Sequence, residues 1–502
     1  MAIPLRADGC LATMPDMAIL RALQIGCVFL PLWMSTVFAD SSTLDMLYVD
    51  EIPSHTLQLT RQAATQVING EEENARLSLE HLHAYQEEVP DPIIRARLLM
   101  NYGAILVALG DSQAGTLALH EGIEIMESLQ SALSAELTKG LISLGVGELS
   151  LGLIQEGEAT LLRAQNLIHR ENGVYAADQE IILYHLTTTA LDQGDFANAD
   201  RLQRFSLMVA ERSYGEDSPE LVPSLKRLGS YFASRGSMLP MVSLGALRPQ
   251  HGFLGATLCT DGPRFRPRPC NPGIEKWQAA QLEQSRAAAK LHIEREALFK
   301  ESIENYGRAA RIQEQHSGDT ENHSFDTLRM MAWVYLQQGD YRDAERVLRR
   351  AVEQAEGGTT VDLEDRIEIT LDLGDLLTVR TDTRASEVYL TAWHLMQAKG
   401  LNDEVYFNKP YRLVPGSYQS LALDAASVTD EEVDEYFALV EYDVSKKGRV
   451  EDIRVLDSNV PGPQVRSLRS ELLKSRFRPR IEGGELVDTT DIQIRFTYPV
   501  PG

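Results

Sequence analysis

Two cysteines and three arginines are the residues whose type and spacing most invite chemistry. Cys259 and Cys270 bracket the string CTDGPRFRPRPC. Two thiols this close in an exported chain are expected to form one disulfide. Closing so short a loop stabilises by roughly 2–3 kcal/mol in the chain-entropy model. Two thiols are too few for a zinc site on their own, and the nearest histidine is His251. Arg264, Arg266 and Arg268 alternate with Phe265 and prolines inside the same string. That basic patch suits an anionic partner, or a pairing with the protein's own acids. His81 and His83 stand two apart in EHLHAY, so a helix would point them in different directions, away from a shared metal. No P-loop, G-x-S-x-G or H-E-x-x-H string occurs. No catalytic, cofactor-binding or metal-ligating residue is therefore expected. An enzyme site beneath the cysteine-bearing segment is the remote alternative.

Composition narrows the function class further. The formal net charge is −25 over 502 residues, which argues against a nucleic-acid partner because phosphate binding needs a basic face. The length is too great for one core, so two or more domains are expected. Residues 17–39 read MAILRALQIGCVFLPLWMSTVFA, one arginine followed by an apolar run that ends Val37-Phe38-Ala39. Small residues at −3 and −1 suit export cleavage before Asp40, with Met17 a possible true start. Cleavage there would remove Cys10 and Cys27. The expected location is the Gram-negative periplasm, with membrane contact only if the segment stays uncleaved as an inner-membrane anchor. A lipid anchor on Cys27 is disfavoured by Gln24 three residues before it.

The elements that must position such residues are announced by a ruler. Gly110, Gly152, Gly194 and Gly236 stand at equal steps of 42, and a fixed period in this range marks a stacked repeat. Leu99, Leu141, Leu183 and Leu225 precede them by eleven, and Tyr102, Leu144, Leu186 and Leu228 by eight. Gly103, Gly145, Thr187 and Gly229 precede them by seven, and Gly115, Gly157 and Ala199 follow by five. The upstream positions share one helix face. The small residues let a second helix approach the first, and each ruler glycine is expected to end a helix in the left-handed conformation.

This pattern resembles the tetratricopeptide repeat. Leu328, Met331, Ala332, Tyr335, Gly339, Ala344, Leu348 and Ala351 match it best. The units are longer than the family's common repeat, and ERSYGEDSPELVPSLKRLGSYFASRG resembles the 42-residue variety of kinesin-light-chain-like arrays. The resemblance implies helix hairpins that bind a protein or peptide rather than a catalytic pocket. The ruler also measures an interruption. YGEDS at 214–218 parallels SGDTE at 317–321, and Gly236 parallels Gly339 at the same offset of 103. An insertion of 61 residues follows, rich in Gly and Pro at first and helix-forming from Trp277 to Lys300. After Gly339 the next step falls at Arg380 or Thr381 with no glycine, which places the end of the array near 400.

From Glu432 the period changes to two. Ala438, Val440, Tyr442 and Val444 alternate with Phe437, Leu439, Glu441 and Asp443, and Lys447-Gly448 supplies a hairpin turn. A helix is expected over Pro461–Lys474 and a last strand with Ile492, Ile494 and Phe496 inward and Gln493 and Arg495 outward. The order is β-β-α-β. Asp443, Gly448, Val450, Ile453, Val455, Ser458, Leu468, Leu472, Phe477, Pro479, Gly484 and Phe496 stand where the TonB C-terminal domain has its motif, with RFRPR at 476–480 the most specific piece. The resemblance implies that the domain adds a partner's strand to its own edge, here Thr489–Tyr498, and grips an outer-membrane protein. Candidate partner-binding residues are Thr489, Thr490, Asp491, Gln493 and Arg495, beside Arg264, Arg266 and Arg268. The chain departs from an energy-transducing TonB. It has no proline-rich spacer, no serine–histidine pair in its apolar N-terminus and no Tyr-Pro before the first strand. Residues 436–502 carry 10 acids and 11 bases, so the acidity belongs to the helices. Arg466, Arg469, Lys474, Arg476, Arg478 and Arg480 form a basic cluster able to dock against them.

The expected layout is a signal over 1–39, a mostly α, tetratricopeptide-like solenoid of antiparallel helix pairs over 40–400 with an insertion at about 238–298, a linker over 401–432 and a small α+β, TonB-like domain over 433–502. The expected role is a periplasmic scaffold for protein partners, with no cofactor. Energy transduction to outer-membrane transport is the alternative.

Overall fold

The structure is a computed structural model. It describes residues 41–50, 52–239, 272–316, 324–357, 361–401, 404–414 and 436–498. The segment expected to direct export, both cysteines of the expected disulfide and Arg264, Arg266 and Arg268 lie outside these residues. Among the described residues no helix is long and apolar enough to cross a membrane. The chain divides into two compact units, Met1–Glu216 and Asp217–Gly502.

The first unit is a stack of helix hairpins. α1 (Ser54–Ile68) pairs with α2 (Glu72–Glu88), α3 (Pro92–Ala108) with α4 (Ser112–Leu129), α5 (Thr138–Ser150) with α6 (Ile154–Asn172), and α7 (Glu180–Asp192) with α8 (Phe196–Tyr214). Ahead of them a 3-10 turn, Ser41–Met46, lies against α3 and α5. Gly110, Gly152 and Gly194 hold φ of 85°, 76° and 74° and end α3, α5 and α7. At each, the glycine and the next residue donate backward to the helix, as Gly110 does to the Val107 carbonyl and Asp111 to that of Leu106, both at 2.9 Å. The carbonyls left over at a helix end are satisfied in this way. Leu99, Leu141 and Leu183 are buried along the stack. The small residues set the helix spacing. A Cβ on Gly103 would lie 2.7 Å from the Gly115 carbonyl oxygen, and one on Gly157 3.0 Å from that of Gly145.

The second unit continues the hairpins with α9 (Val222–Met238) against α10 (Pro272–Gln315), α11 (Phe325–Gln338) against α12 (Tyr341–Gly357), and α13 (Leu363–Val379) against α14 (Ala385–Lys399). Two expectations of the ruler change here. Gly236 does not end its helix. It sits buried inside α9, where a Cβ would fall 2.7 Å from the Phe299 ring, so this glycine makes room for α10 instead. Nor is the register lost after Gly339. Thr381, one step of 42 further on, takes φ of 59°. It repeats the glycine's hydrogen bonds, with Thr381 N donating to the Thr378 carbonyl at 2.9 Å and Asp382 N to that of Leu377 at 2.8 Å. The helix expected from Trp277 to Lys300 lies within α10, which runs on without a break into the hairpin's own second helix.

A mixed α+β region closes the unit. Part of the stretch expected as linker is structured: a short helix α15 (Glu404–Phe407) and strand β1 (Tyr411–Val414). β2 (Tyr436–Val444), β3 (Val450–Ser458) and β7 (Thr489–Tyr498) form an antiparallel sheet of order β3-β2-β7. α16 (Gly462–Lys474) covers one face with Leu468 and Leu472, against Tyr436, Ala438, Val440, Tyr442 and Val444. Three short strands not expected from the alternation separate α16 from β7. β4 (Arg476–Arg478) pairs with β1, and β5 (Arg480–Glu482) with β6 (Glu485–Val487).

Candidate protein-binding edge and its mount

The sheet's inward face follows from the alternation, and its outward face is where polar chemistry collects. On β2 the outward residues include Glu441 and Asp443, opposite Gln493 and the turn into β7. Gln493 Nε2 donates to Glu441 Oε2 at 2.9 Å. Arg454 of β3 reaches Glu441 at 3.2 Å, Asp491 at 3.4 Å and Asp443 at 3.6 Å. One guanidinium of β3 thus ties together carboxylates of β2 and β7. Arg495 lies over the Phe437 ring, its guanidinium carbon 3.8 Å from the ring centre, a cation–π contact.

β7 lies at one edge of the sheet. It pairs with β2 from Thr489 to Tyr498, and no second strand pairs with it among the described residues. Near its start the register shifts by one residue, where Asp491 takes φ of 59° and donates its N–H to Asp443 Oδ1 at 2.9 Å. A bulge of this kind blunts an edge against casual pairing. The bulge takes up Thr490 and Asp491, and Ile492–Tyr498 continues as regular ladder. Of the expected partner-binding residues, the structure gathers Thr489, Thr490, Asp491, Gln493 and Arg495 on this strand. The side chains of Asp491, Gln493 and Arg495 are engaged with the sheet itself, so the ladder backbone is what the edge offers.

The RFRPR string mounts the sheet on the last hairpin. Arg478 of β4 donates to both carboxylate oxygens of Asp375 on α13, at 2.9 and 2.6 Å. The Tyr389 hydroxyl of α14 donates to the same carboxylate at 2.8 Å and accepts from Thr378 at 3.0 Å. Burial works against the Arg478 charge, but the Asp375 carboxylate outweighs it and holds the guanidinium protonated above its ordinary range. Below, Arg329 of α11 donates to Asp372 at 2.7 Å and Glu368 at 3.0 Å. Burial raises the Asp372 carboxyl above the usual range, and Arg329 counters it. The hairpin turn of the sheet is locked to the mount as well. Phe477 N donates to the Gly448 carbonyl at 2.9 Å, and a Cβ on Gly448 would overlap the Phe477 carbonyl. Of the basic cluster, Arg478 is the member that docks on the helices. Lys474 pairs with Glu471 within its own helix, and Arg480 with Glu482.

A tetratricopeptide repeat model matches residues 325–353, the hairpin of α11 and α12. It covers the stretch from Leu328 to Ala351 that carried the resemblance in sequence. No curated protein matches the chain. Among solved structures, BtubC (BKLC) from P. vanneervenii is similar at 15% identity and a TM-score of 0.35, over 60% of this chain and 91% of that one. A signal-transduction ATPase with a tetratricopeptide repeat sensor from Pyrococcus horikoshii is similar at 13% identity and a TM-score of 0.38, over 69% of this chain and 43% of its own. NprR in complex with its cognate peptide NprX is similar at 11% identity and a TM-score of 0.28, over 82% and 90%.

Proposed function

We propose that this protein is a non-catalytic scaffold that binds protein partners, and that its C-terminal sheet takes one of them by adding the partner's strand to β7. The observation that carries this reading is the edge itself. Ile492–Tyr498 is a regular ladder on β2 with its apolar side chains packed inward and no strand on its other side among the described residues. An added strand gains main-chain hydrogen bonds there with little demand on sequence. The resemblance of 433–502 to the TonB C-terminal domain supports the same mode. The apolar segment at 17–39 supports a periplasmic setting, and in an oxidising compartment Cys259 and Cys270 would pair. The Arg478–Asp375 mount supports a module held to its array rather than one swinging on a spacer. That favours scaffolding over force transmission.

The test is site-specific photo-cross-linking in cells. Benzoylphenylalanine at Thr497, exposed on β7, should give a discrete adduct with a partner in the exported fraction. The same group at Asp457, exposed on the opposite edge strand β3, should not. Adducts of equal strength from both positions, or from Asp457 alone, overturn the β7 assignment.

A further inference from the structure

The first unit holds a stretch of its own chain in the manner of a bound peptide. Residues 42–49 cross the faces of α3 and α5, and two array side chains take hold of the segment's backbone. Asn101 Oδ1 accepts from Tyr48 N at 2.6 Å, and Asn101 Nδ2 donates to the Tyr48 carbonyl at 2.8 Å. One carboxamide thus satisfies both main-chain groups of one residue. Lys139 Nζ donates to the Leu47 carbonyl at 3.1 Å. In return the segment's side chains read array backbone. Thr43 donates to the Ala104 carbonyl at 2.8 Å. The Tyr48 hydroxyl donates to the Glu136 carbonyl and accepts from Gly140 N at 3.2 Å. Ser42 meets His185 of α7 at 3.0 Å. Asn101 is fully buried, and Leu47 and Tyr48 are buried by the contact.

We propose that this face of α3 and α5 is a groove for a peptide that enters as a 3-10 turn followed by a leucine–tyrosine pair, and that residues 42–49 are the chain's own stand-in for that ligand. Three of these bonds go to the segment's main chain and four are made by the side chains of Ser42, Thr43 and Tyr48, and none of them depends on the covalent connection. Another segment presenting an aliphatic residue, then tyrosine, could form the same bonds to Asn101, Lys139 and the Glu136 carbonyl. The buried Asn101 amide has little use in a purely apolar stack, because an unpaired buried amide costs more than an apolar residue. A partner peptide would enter by displacing the segment, which keeps the groove closed until one is present. This goes beyond strand addition at β7 and involves the other unit, so each can fail without the other.

Two measurements on the full-length protein decide it. In hydrogen exchange, the Tyr48 amide should open roughly tenfold or more faster than the core amides of α3, as a local rather than global event. In fluorescence anisotropy, a labelled peptide SSTLDMLYVDEI should bind Tyr48→Ala at least roughly tenfold tighter than the unsubstituted chain, whose own segment competes. Adding Asn101→Ala should abolish that binding. A Tyr48 amide that exchanges only together with α3 overturns the proposal. So does a Tyr48→Ala protein that is helical yet ignores the peptide, or one that fails to fold, since either makes the segment a permanent part of the core.

Discussion

Thr381 carries a glycine's burden. Its φ of 59° is a conformation that costs a side-chain-bearing residue about 1–2 kcal/mol, and a β-branched one tolerates it poorly. Gly110, Gly152, Gly194 and Gly339 hold the equivalent turns without that cost. Thr381→Gly is therefore expected to stabilise the second unit. Relief of strain is partly offset by the freer unfolded chain, leaving about 0.5–1 kcal/mol, read as a higher urea midpoint with unchanged slope. A lower midpoint would mean the threonine side chain makes a contact worth more than the strain. The same pair of positions shows what the sequence hides at this scale. The 42-residue ruler is a ruler of backbone conformation, and glycine only reports it. Thr381 performs the turn without the letter, and Gly236 has the letter without the turn because it makes room for Phe299.

At the scale of elements, the joint between α13 and β4 sets how the sheet is held. Arg478 and Asp375 form a two-bonded pair whose side chains are 11% and 20% exposed. Removing one partner of a buried pair leaves the other charge without compensation, a loss of about 3–5 kcal/mol when burial is complete. Arg478→Ala should therefore destabilise the second unit by about 3 kcal/mol, toward the lower end because the pair is not fully dry. Arg478→Lys keeps the charge but not the fork, and should fall between. Equal stability of all three proteins in denaturant titration would remove the mount from the picture. RFRPR was legible as a distinctive string, and its basic character as a docking surface. Its receptor was not, because Asp375 lies 103 residues away and is one acid among 73 Asp and Glu residues. The strand alternation of β2 and β7 was legible for the same reason the helices were: burial on one face imposes a period. The bulges at Asp452 and Asp491 were not, because each inserts one residue with no change in composition.

For the whole molecule, the sequence pointed to a helical repeat array followed by a small α+β region, and the described residues are organised accordingly. In the first unit the proposed groove has buried polar handholds such as Asn101, and in the second a small sheet follows the last hairpin with β7 at one edge and β3 at the other. The handholds escaped sequence reading because Asn101 sits in RARLLMNYGAILVA, an apolar run in which one amide reads as tolerated rather than used. The most direct test of strand addition is backbone amide exchange of the second unit with and without the cross-linked partner identified through Thr497. Strand addition predicts that amides within Ile492–Tyr498 gain protection when the partner binds, while those of β3 do not change. Unchanged β7 amides in a partner-saturated sample, with protection appearing on the helices alone, would contradict it.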